Sequence, residues 1–203
     1  GAARITVGYY IWGDNCLHAA PFEEYAVSTC CGSQVGSPQF AAFNPPGTYA
    51  SAVATGMNGN GDAVGYTTDS SGNSTGWFYR FFSYYTIAYP GATSTQPLAL
   101  AWDDNVVGLY VNSDGSVHGF LVQDPGGSNE TYQPVYFNNG SQKYSYTVVA
   151  SIDDCNDISG WYATNGALPF NGFVATTASA KTSTKCSIGS LLKSRKYSMK
   201  GGL

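Results

Sequence analysis

The sequence is poor in charged residues, in histidine and in long apolar stretches, and each shortage excludes a class of function. Charged residues make up 11% of the 203 residues, and the two histidines are His18 and His118. Catalysis by a histidine, a nucleophile and an orienting carboxylate therefore has few candidates. Because no stretch approaches the roughly 18 apolar residues that a membrane-crossing helix needs, we expect no transmembrane segment. Helical periodicity is nearly absent, and its best example, Ile188, Leu191 and Leu192, is too short for a stable helix.

A glycine-aromatic phrase recurs along the chain. Its three copies are Val64-Gly65-Tyr66 with Gly76-Trp77-Phe78, Val107-Gly108-Leu109 with Gly119-Phe120-Leu121, and Ser159-Gly160-Trp161 with Gly172-Phe173-Val174. Turns rich in Asx and glycine separate the short β-favouring runs, as in hairpins. The turn at residues 102–105, before Val107-Gly108-Leu109, reads as two residues shorter than the others, and Asp103-Asp104 reads as equivalent to Asp153-Asp154. An aromatic-then-glycine phrase precedes each copy, at residues 43–47, 89–91 and 137–140.

This period of roughly 40 to 50 residues is typical of propellers and repeat arrays. We predict an all-β fold of about four blade-like repeats, each with four short antiparallel strands, in a small propeller-like arrangement. One domain spans residues 1–180, with copies near 5–42, 43–88, 89–136 and 137–180, and a basic tail spans 181–203. The first copy, around Val7-Gly8-Tyr9-Tyr10, is partial. It leaves strand edges to be closed by the C-terminal segment or by a neighbouring molecule.

The copies resemble the HAF repeat of bacterial extracellular proteins, in which I-N-D-x-G-x-V-V-G-Y-Y is followed by D-S-D-G-x-x-H-G-F. The third copy, with Asn112-Ser113-Asp114-Gly115-Ser116-Val117-His118-Gly119-Phe120, carries the resemblance most fully. It implies secretion and a propeller-like β fold, and it brings no catalytic residues with it. The first copy departs from the pattern, with Ala19-Ala20 in place of His-Gly. A start so close to a repeat strand leads us to expect that a leader has been removed and that the protein is extracellular or on the cell surface.

The cysteines and sequons are candidate modification sites. The five cysteines, Cys16, Cys30, Cys31, Cys155 and Cys186, lack the paired C-x-x-C spacing of zinc sites. We therefore predict disulfides formed in an oxidising compartment, with one thiol left over. A Cys155–Cys186 bond would tie the tail to the last repeat, but the sequence leaves the connectivity open. Asn73, Asn129 and Asn139 head N-x-S/T sequons, which are glycosylation candidates or chance matches in a chain rich in Asn, Ser and Thr.

The net charge of −4 hides two unlike parts. Residues 1–180 hold all 13 acidic residues against three basic ones, whereas the tail holds six basic residues and no acid. Such a tail docks on a neighbouring molecule, folds back on its own body or stays free. The predicted subunit-contact residues are Lys185, Lys193, Arg195, Lys196, Lys200, Tyr9 and Tyr10. We expect the partner to be another copy of the chain, with a polysaccharide as the alternative. Nucleic acid is not expected, because the acidic body repels phosphates.

Motifs that resemble catalytic or metal sites have simpler explanations in the repeat. Gly72-Asn73-Ser74-Thr75-Gly76 matches a nucleophile elbow but lies in a hairpin slot rather than before a helix. His18 and His118 share a repeat position, and the paired aspartates lie in turns, where carboxylates bind their own backbone. The turns at 69–73 and 112–116 space oxygen ligands as calcium loops do, without a closing acid. We expect no catalytic, cofactor-binding or metal-binding residues, with calcium as the one cofactor considered.

The aromatic runs at residues 77–82 and 84–85 are the remaining feature. Strand alternation predicts that half of these rings are exposed, as a sugar-stacking platform or a subunit interface. The favoured function is a secreted, non-enzymatic structural protein, an extracellular filament or coat subunit that assembles by strand or tail exchange. A glycan-binding propeller lectin or adhesin is the alternative, and a glycoside hydrolase comes third.

Overall fold

The computed structural model describes residues 3–11, 17–29, 32–35, 39–40, 42–138, 144–164 and 169–176, with side chains from residue 42 onward within these ranges. All regular structure in them is β, with no helix, which confirms the all-β prediction. The strands are β1 Ala3–Ile11, β2 Leu17–Thr29, β3 Gly32–Val35, β4 Gln39–Phe40, β5 Ser51–Met57, β6 Ala63–Thr68, β7 Ser74–Arg80, β8 Ser83–Ile87, β9 Ser94–Leu100, β10 Val106–Val111, β11 Val117–Gln123, β12 Thr131–Val135, β13 Tyr146–Ile152, β14 Ile158–Ala163 and β15 Asn171–Ala175.

The strands form four consecutive units. The second unit, β5 to β8, and the third, β9 to β12, each contain four antiparallel strands in chain order, as the sequence predicts. The described part of the fourth unit contains three, β13 to β15, and a single parallel pair, Val117 with Tyr146, links it to the third. In the first unit β2 pairs with β1, β3 and β4. Its register sets Tyr10 opposite His18, as Tyr110 lies opposite His118, so β1 and β2 correspond to β10 and β11.

Successive units pack against each other. The first strand of each unit contacts the unit before it: β5 contacts β1 and β2, β9 contacts β6 and β7, and β13 contacts β10 and β11. The core between the second and third units contains Val64, Phe78 and Ile87 from one side and Val106, Phe120 and Val122 from the other. The core between the third and fourth contains Val107, Leu121, Val149, Ile158 and Phe173. The sheets of the second and third units are therefore buried on both faces.

The recurrent glycine-aromatic phrase is a contact between neighbouring strands. Gly65 lies opposite Trp77, Gly108 opposite Phe120 and Gly160 opposite Phe173. A side chain on any of these glycines would collide with the opposite ring and with a carbonyl oxygen of the unit's first strand, as Gly108 would with Phe120 and Gln96. The second strand of each unit thus needs glycine so that the ring can lie against its backbone.

Each first strand carries a bulge beside this glycine. The register shifts between Ala54 and Gly56 in β5, between Val149 and Ser151 in β13, and where β9 passes Val107 and Gly108. A bulge bends the strand and increases its twist. Thr55, the extra residue of β5, donates its hydroxyl to the carbonyl of Pro97 at 2.7 Å. The bulge therefore also binds the next unit.

The aromatic residue before each hairpin packs on the repeated ring of its own unit. Phe43 lies 5.3 Å from Trp77, Tyr89 lies 6.3 Å from Phe120, and Phe137 lies 5.7 Å from Phe173, measured between ring centroids. Tyr89 and Phe137 also stack on a tyrosine of the second strand. This phrase, which the sequence revealed without explaining, closes the edge of each core.

The prediction of a shorter turn in the third copy is wrong. The turns at residues 58–62, 101–105 and 153–157 all span five residues with the same backbone hydrogen bonds, such as Ala101 N to Asn105 O and Asp104 N to Ala101 O. In each, the fourth residue has positive φ: Gly61, Asp104 and Asn156. Asp103-Asp104 is therefore equivalent to Cys155-Asn156, not to Asp153-Asp154. The sequence comparison failed because Ala101 replaces the Asx residue that begins the other two turns.

We expect Gly108→Ala to lower the free energy of unfolding by roughly 1–3 kcal/mol, because the added methyl group must displace a backbone carbonyl and a core ring. Urea denaturation of the full chain measures the change. Thr75→Ala, at an exposed strand position, is the matched control, with an expected change of about 0.5 kcal/mol or less. Equal stability of the two variants would refute the role given to the repeated glycine.

Candidate functional site

One end of the stacked units gathers the unusual side chains of this chain. We call this end the turn face: it consists of the turns at 58–62, 101–105 and 153–157 together with the β7–β8 hairpin tip. The tip belongs to the same end because β6 begins at Ala63 opposite Tyr79, near the end of β7. Turns tend to carry function because they are exposed on a rigid scaffold.

Side-chain hydrogen bonds connect the three turns across the units. The Asn58 amide donates to the Asp104 carboxylate at 2.8 Å, and the Asn60 amide donates to the Trp102 carbonyl at 3.2 Å. Between the third and fourth units, the Asn105 amide donates to Asn156 Oδ1 at 2.9 Å, and the backbone N–H of Trp102 donates to Asp154 at 3.2 Å. The turn face is therefore held in place by its own polar groups rather than being a set of independent loops.

An arginine between two carboxylates lies at the centre of the turn face. Arg80 Nη1 is 3.0 Å from Asp104 Oδ2, and Arg80 Nε is 3.9 Å from Asp62 Oδ2. Both aspartates are buried. Burial raises the pKa of Asp104 to about 6; the neighbouring Asp62 carboxylate adds to the rise, and the Arg80 guanidinium opposes it. Arg80 is the single Lys or Arg among the residues whose side chains are described, so its one positive charge offsets part of the negative charge of the two carboxylates at this junction between units.

The hairpin tip beside Arg80 exposes two phenylalanines in an unfavourable backbone conformation. Arg80 pairs with Ser83, which leaves Phe81 and Phe82 as a two-residue turn with φ values of 48° and 63°. Asparagine and glycine favour such a turn, whereas bulky residues are strained in it. Phe81 is 77% exposed and Phe82 is 94% exposed. The Arg80 guanidinium lies 4.8 Å from the Phe81 ring centroid.

Trp102 is a third exposed ring on the turn face. Its side chain is 56% exposed, and the ring lies where a side chain of Gly59 would otherwise be. The amide of Asn60 and the carboxylate of Asp154 hold its backbone from the units on either side. An aromatic face next to amides and carboxylates can stack on an apolar ring or sugar face while the polar groups donate and accept hydrogen bonds.

The prediction that strand alternation exposes half of the aromatic run is wrong. Trp77 and Phe78 are both buried, and Tyr84 and Tyr85 are half-buried. Tyr84 packs on Trp77 at 5.9 Å and Tyr85 on Phe78 at 6.1 Å between ring centroids. Neighbouring units cover both faces of this sheet, so alternation does not separate inside from outside here. Exposure is confined to the turn.

The residues of the apparent catalytic motifs are not brought together. Ser74 begins β7, where its hydroxyl accepts a hydrogen bond from the Gln96 amide at 3.0 Å. His118 is buried on β11 between Tyr110 and Tyr136, with ring centroids 5.6 and 4.7 Å away. Asp69 Oδ1 accepts the backbone N–H groups of Ser71 and Asn73, which lowers the Asp69 pKa. This is the turn chemistry expected from the sequence.

The remaining candidates of the sequence analysis have the following positions. Asn73 lies in the exposed turn at 69–73, Asn129 is in the loop before β12 with its N–H on Asp124, and Cys155 is in the turn at 153–157. Tyr9 and Tyr10 lie on β1, and their side chains are outside the described set. Cys16, Cys30, Cys31, Cys186, Asn139, Lys185, Lys193, Arg195, Lys196, Lys200 and the weak helical pattern at 188–192 lie outside the described residues. The cysteine pairing therefore stays a prediction.

The described part of the chain contains neither a cluster of metal ligands nor a membrane-spanning helix. No three His, Cys, Asp or Glu side chains there converge as metal ligands do. No helix within the described ranges has the length and hydrophobicity of a membrane span. The Asp62–Arg80–Asp104 cluster was missed by sequence reasoning. Its one signal was that Arg80 is one of three basic residues in an acidic body of 180 residues.

Comparisons with protein-family models, with curated proteins and with solved structures found no match to this chain.

We expect Asp104→Asn to change how stability depends on pH. The folded-state pKa of Asp104 is raised from 3.8 to about 6. The folded state thus binds the Asp104 proton more tightly than the unfolded state does. Protonation of Asp104 therefore contributes its full stabilisation of the folded state below about pH 4, and this contribution is lost as the pH rises to about 6. Asparagine tolerates the backbone, since Asn156 has φ 63° at the equivalent position. In thermal unfolding scans, the variant should gain stability relative to the wild type across this interval.

The control is Asp114→Asn. Asp114 is an exposed turn residue whose pKa is lowered, chiefly by a hydrogen bond from the Ser116 hydroxyl. Its stabilisation is present above its unfolded pKa and is lost as the pH falls, so this variant should show the opposite trend. Parallel curves for wild type and Asp104→Asn would contradict the assignment.

Proposed function

We propose that this chain is a secreted, non-enzymatic structural protein that associates with copies of itself at the cell surface, as a filament or coat subunit. The stacked units are blades of a small, propeller-like array in this proposal. The observation that carries it is the Phe81-Phe82 tip, where two rings are exposed in a strained turn. An extracellular location follows from the HAF-repeat resemblance and from the predicted disulfides.

The strain at this tip supports a function in binding. Left-handed backbone at residues other than glycine costs of order 1–3 kcal/mol each, and at bulky residues it is concentrated at binding and active sites. Exposing a phenylalanine forgoes about 1.5–3 kcal/mol that burial would contribute. A partner that covers both rings recovers the free energy of burying them, although the backbone strain remains. The pair is thus unfavourable for the isolated chain and favourable for a complex.

Charge supports a second copy as the partner. The body of one copy carries all 13 acidic residues, while the last 23 positions carry six basic residues and no acid. Opposite charges on different parts of identical chains attract copies to each other and speed their encounter. A heterologous contact of this kind extends into rings or filaments.

The non-enzymatic part of the proposal is supported by how the reactive groups are used. Ser74 binds the amide of Gln96, and His118 packs among tyrosine rings. The carboxylates of Asp62 and Asp104 flank Arg80. These groups serve the packing of the units.

The double variant Phe81→Asn/Phe82→Gly tests the proposal. Asn-Gly suits a two-residue turn with positive φ at both positions, so we expect the melting temperature to rise, by roughly 2–4 °C for each kcal/mol of relieved strain. Association, measured by sedimentation velocity over a concentration series, should weaken. Loss of association together with higher stability separates a binding defect from a folding defect.

The matched control for this variant is Ser70→Ala, an exposed change in a turn at the other end of the same sheet, which should alter neither quantity. A double variant that associates as strongly as the wild type would refute the role of the tip. A wild-type chain that stays monomeric at every concentration tested would refute self-association altogether.

Glycan binding is the second candidate, favoured by Trp102, an exposed ring between Asn60 and Asp154. We expect a glycan array probed with the wild type to show binders under this alternative, and Trp102→Ala to abolish that binding without altering sedimentation. An array without binders, or binding unchanged in Trp102→Ala, would eliminate this candidate.

A further inference from the structure

The glycine before each repeated aromatic marks the place where the next unit lies. A side chain on Gly76 would come within 2.6 Å of the Pro97 ring in the third unit, and one on Gly119 within 2.6 Å of Val149 in the fourth. These glycines are needed because the first strand of the following unit presses on them. At Gly172, the equivalent position of the fourth unit, the nearest atom is the Gly160 carbonyl oxygen, 3.8 Å away. The glycine is present, but no atom of the described residues presses on it.

The residue two positions after each of these glycines is buried in the second and third units and exposed in the fourth. Phe78 and Leu121 are 0% and 9% exposed, because each lies in a core shared with the following unit. Val174, which holds this position in the fourth unit, is 67% exposed. Since Gly172 and Val174 are two residues apart on β15, they lie on one face of the sheet. Trp161 pairs with Gly172 on that face and is 37% exposed.

Within the described ranges, one edge of β15 also lacks a neighbouring strand. In the second unit β7 pairs with β6 and β8, and in the third β11 pairs with β10 and β12. Their counterpart β15 pairs with β14, and no other strand of the described residues lies beside it. Unpaired backbone groups at a sheet edge are a ready template for a strand from another molecule.

We infer that Trp161, Gly172, Val174 and the edge of β15 that no described strand pairs with, here called the end surface, dock the sheet of a second copy of this chain. The inference rests on the proposed self-association and names its surface. The second copy is the fitting occupant because the end surface continues the interface that joins the second unit to the third and the third to the fourth. Within one chain β5, β9 and β13 already lie against preceding units, so the first unit, β1 and β2, is what the second copy presents.

Gly172→Val in the full chain tests this inference. Because no described atom lies closer than 3.8 Å to a side chain at Gly172 and its φ is not positive, the variant should unfold at the wild-type temperature. It should weaken association at least about tenfold, measured by sedimentation velocity over a dilution series. Val174→Asp provides a second variant with the same expected result, since it places a charge on the same face. Thr86→Val, an exposed strand position of the second unit, is the control that should change neither quantity.

Three outcomes would overturn the inference. Wild-type association in both end-surface variants would place the contact elsewhere, and Phe81→Asn/Phe82→Gly then tests the proposed function independently. A concentration-independent loss of stability in Gly172→Val would mean that the chain covers the end surface itself, for example with residues 177–203. A wild type that is monomeric throughout the dilution series would remove both this inference and the proposed function.

Discussion

The structure depends on one contact, the approach of an aromatic ring to a glycine on the neighbouring strand. Gly65, Gly108 and Gly160 leave room for Trp77, Phe120 and Phe173, and the bulge beside each glycine twists the first strand over the same place. Phe120 and Phe173 then face the preceding unit and fill the core shared with it. Trp77 fills the core that contains Phe43 and Ala63 of its own unit. A helix is not needed to cover these sheets because each unit covers the one before it.

The side-chain hydrogen bonds and ion pairs between neighbouring units are concentrated at the turn face. The three five-residue turns lie close enough for asparagine and aspartate side chains to bond from one unit to the next. Two buried carboxylates at one junction would repel each other, and Arg80 lies between them. The same arginine supports the Phe81-Phe82 tip. Stability of the junction and display of the two rings are therefore linked through one side chain.

The residues that packing does not explain are those that indicate contacts with other molecules. The strained turn at Phe81 and Phe82 contradicts local preference, and the end surface has the glycine and the apolar residue of a covered interface, with no described residue packed over them. Both features are unfavourable for an isolated chain. They become favourable when a second copy removes the rings and the strand edge from water.

The amino-acid sequence was sufficient to predict the class of structure and the positions of the repeated hairpins. Glycine, aromatic and Asx positions recur because backbone conformation and close approach allow few alternatives, so the hairpins could be predicted directly, although the length of one turn could not. Which rings are exposed could be learned only from the tertiary structure. When neighbouring units cover both faces of a sheet, the alternation of side chains along a strand no longer separates buried from exposed positions. The tertiary structure also decided that Asp62, Arg80 and Asp104 meet, because they come from different turns and strands whose separation in sequence carries no pairing signal. The equal length of the turn at 101–105 was hidden by Ala101 and became apparent from backbone hydrogen bonds, which depend on conformation rather than on residue type.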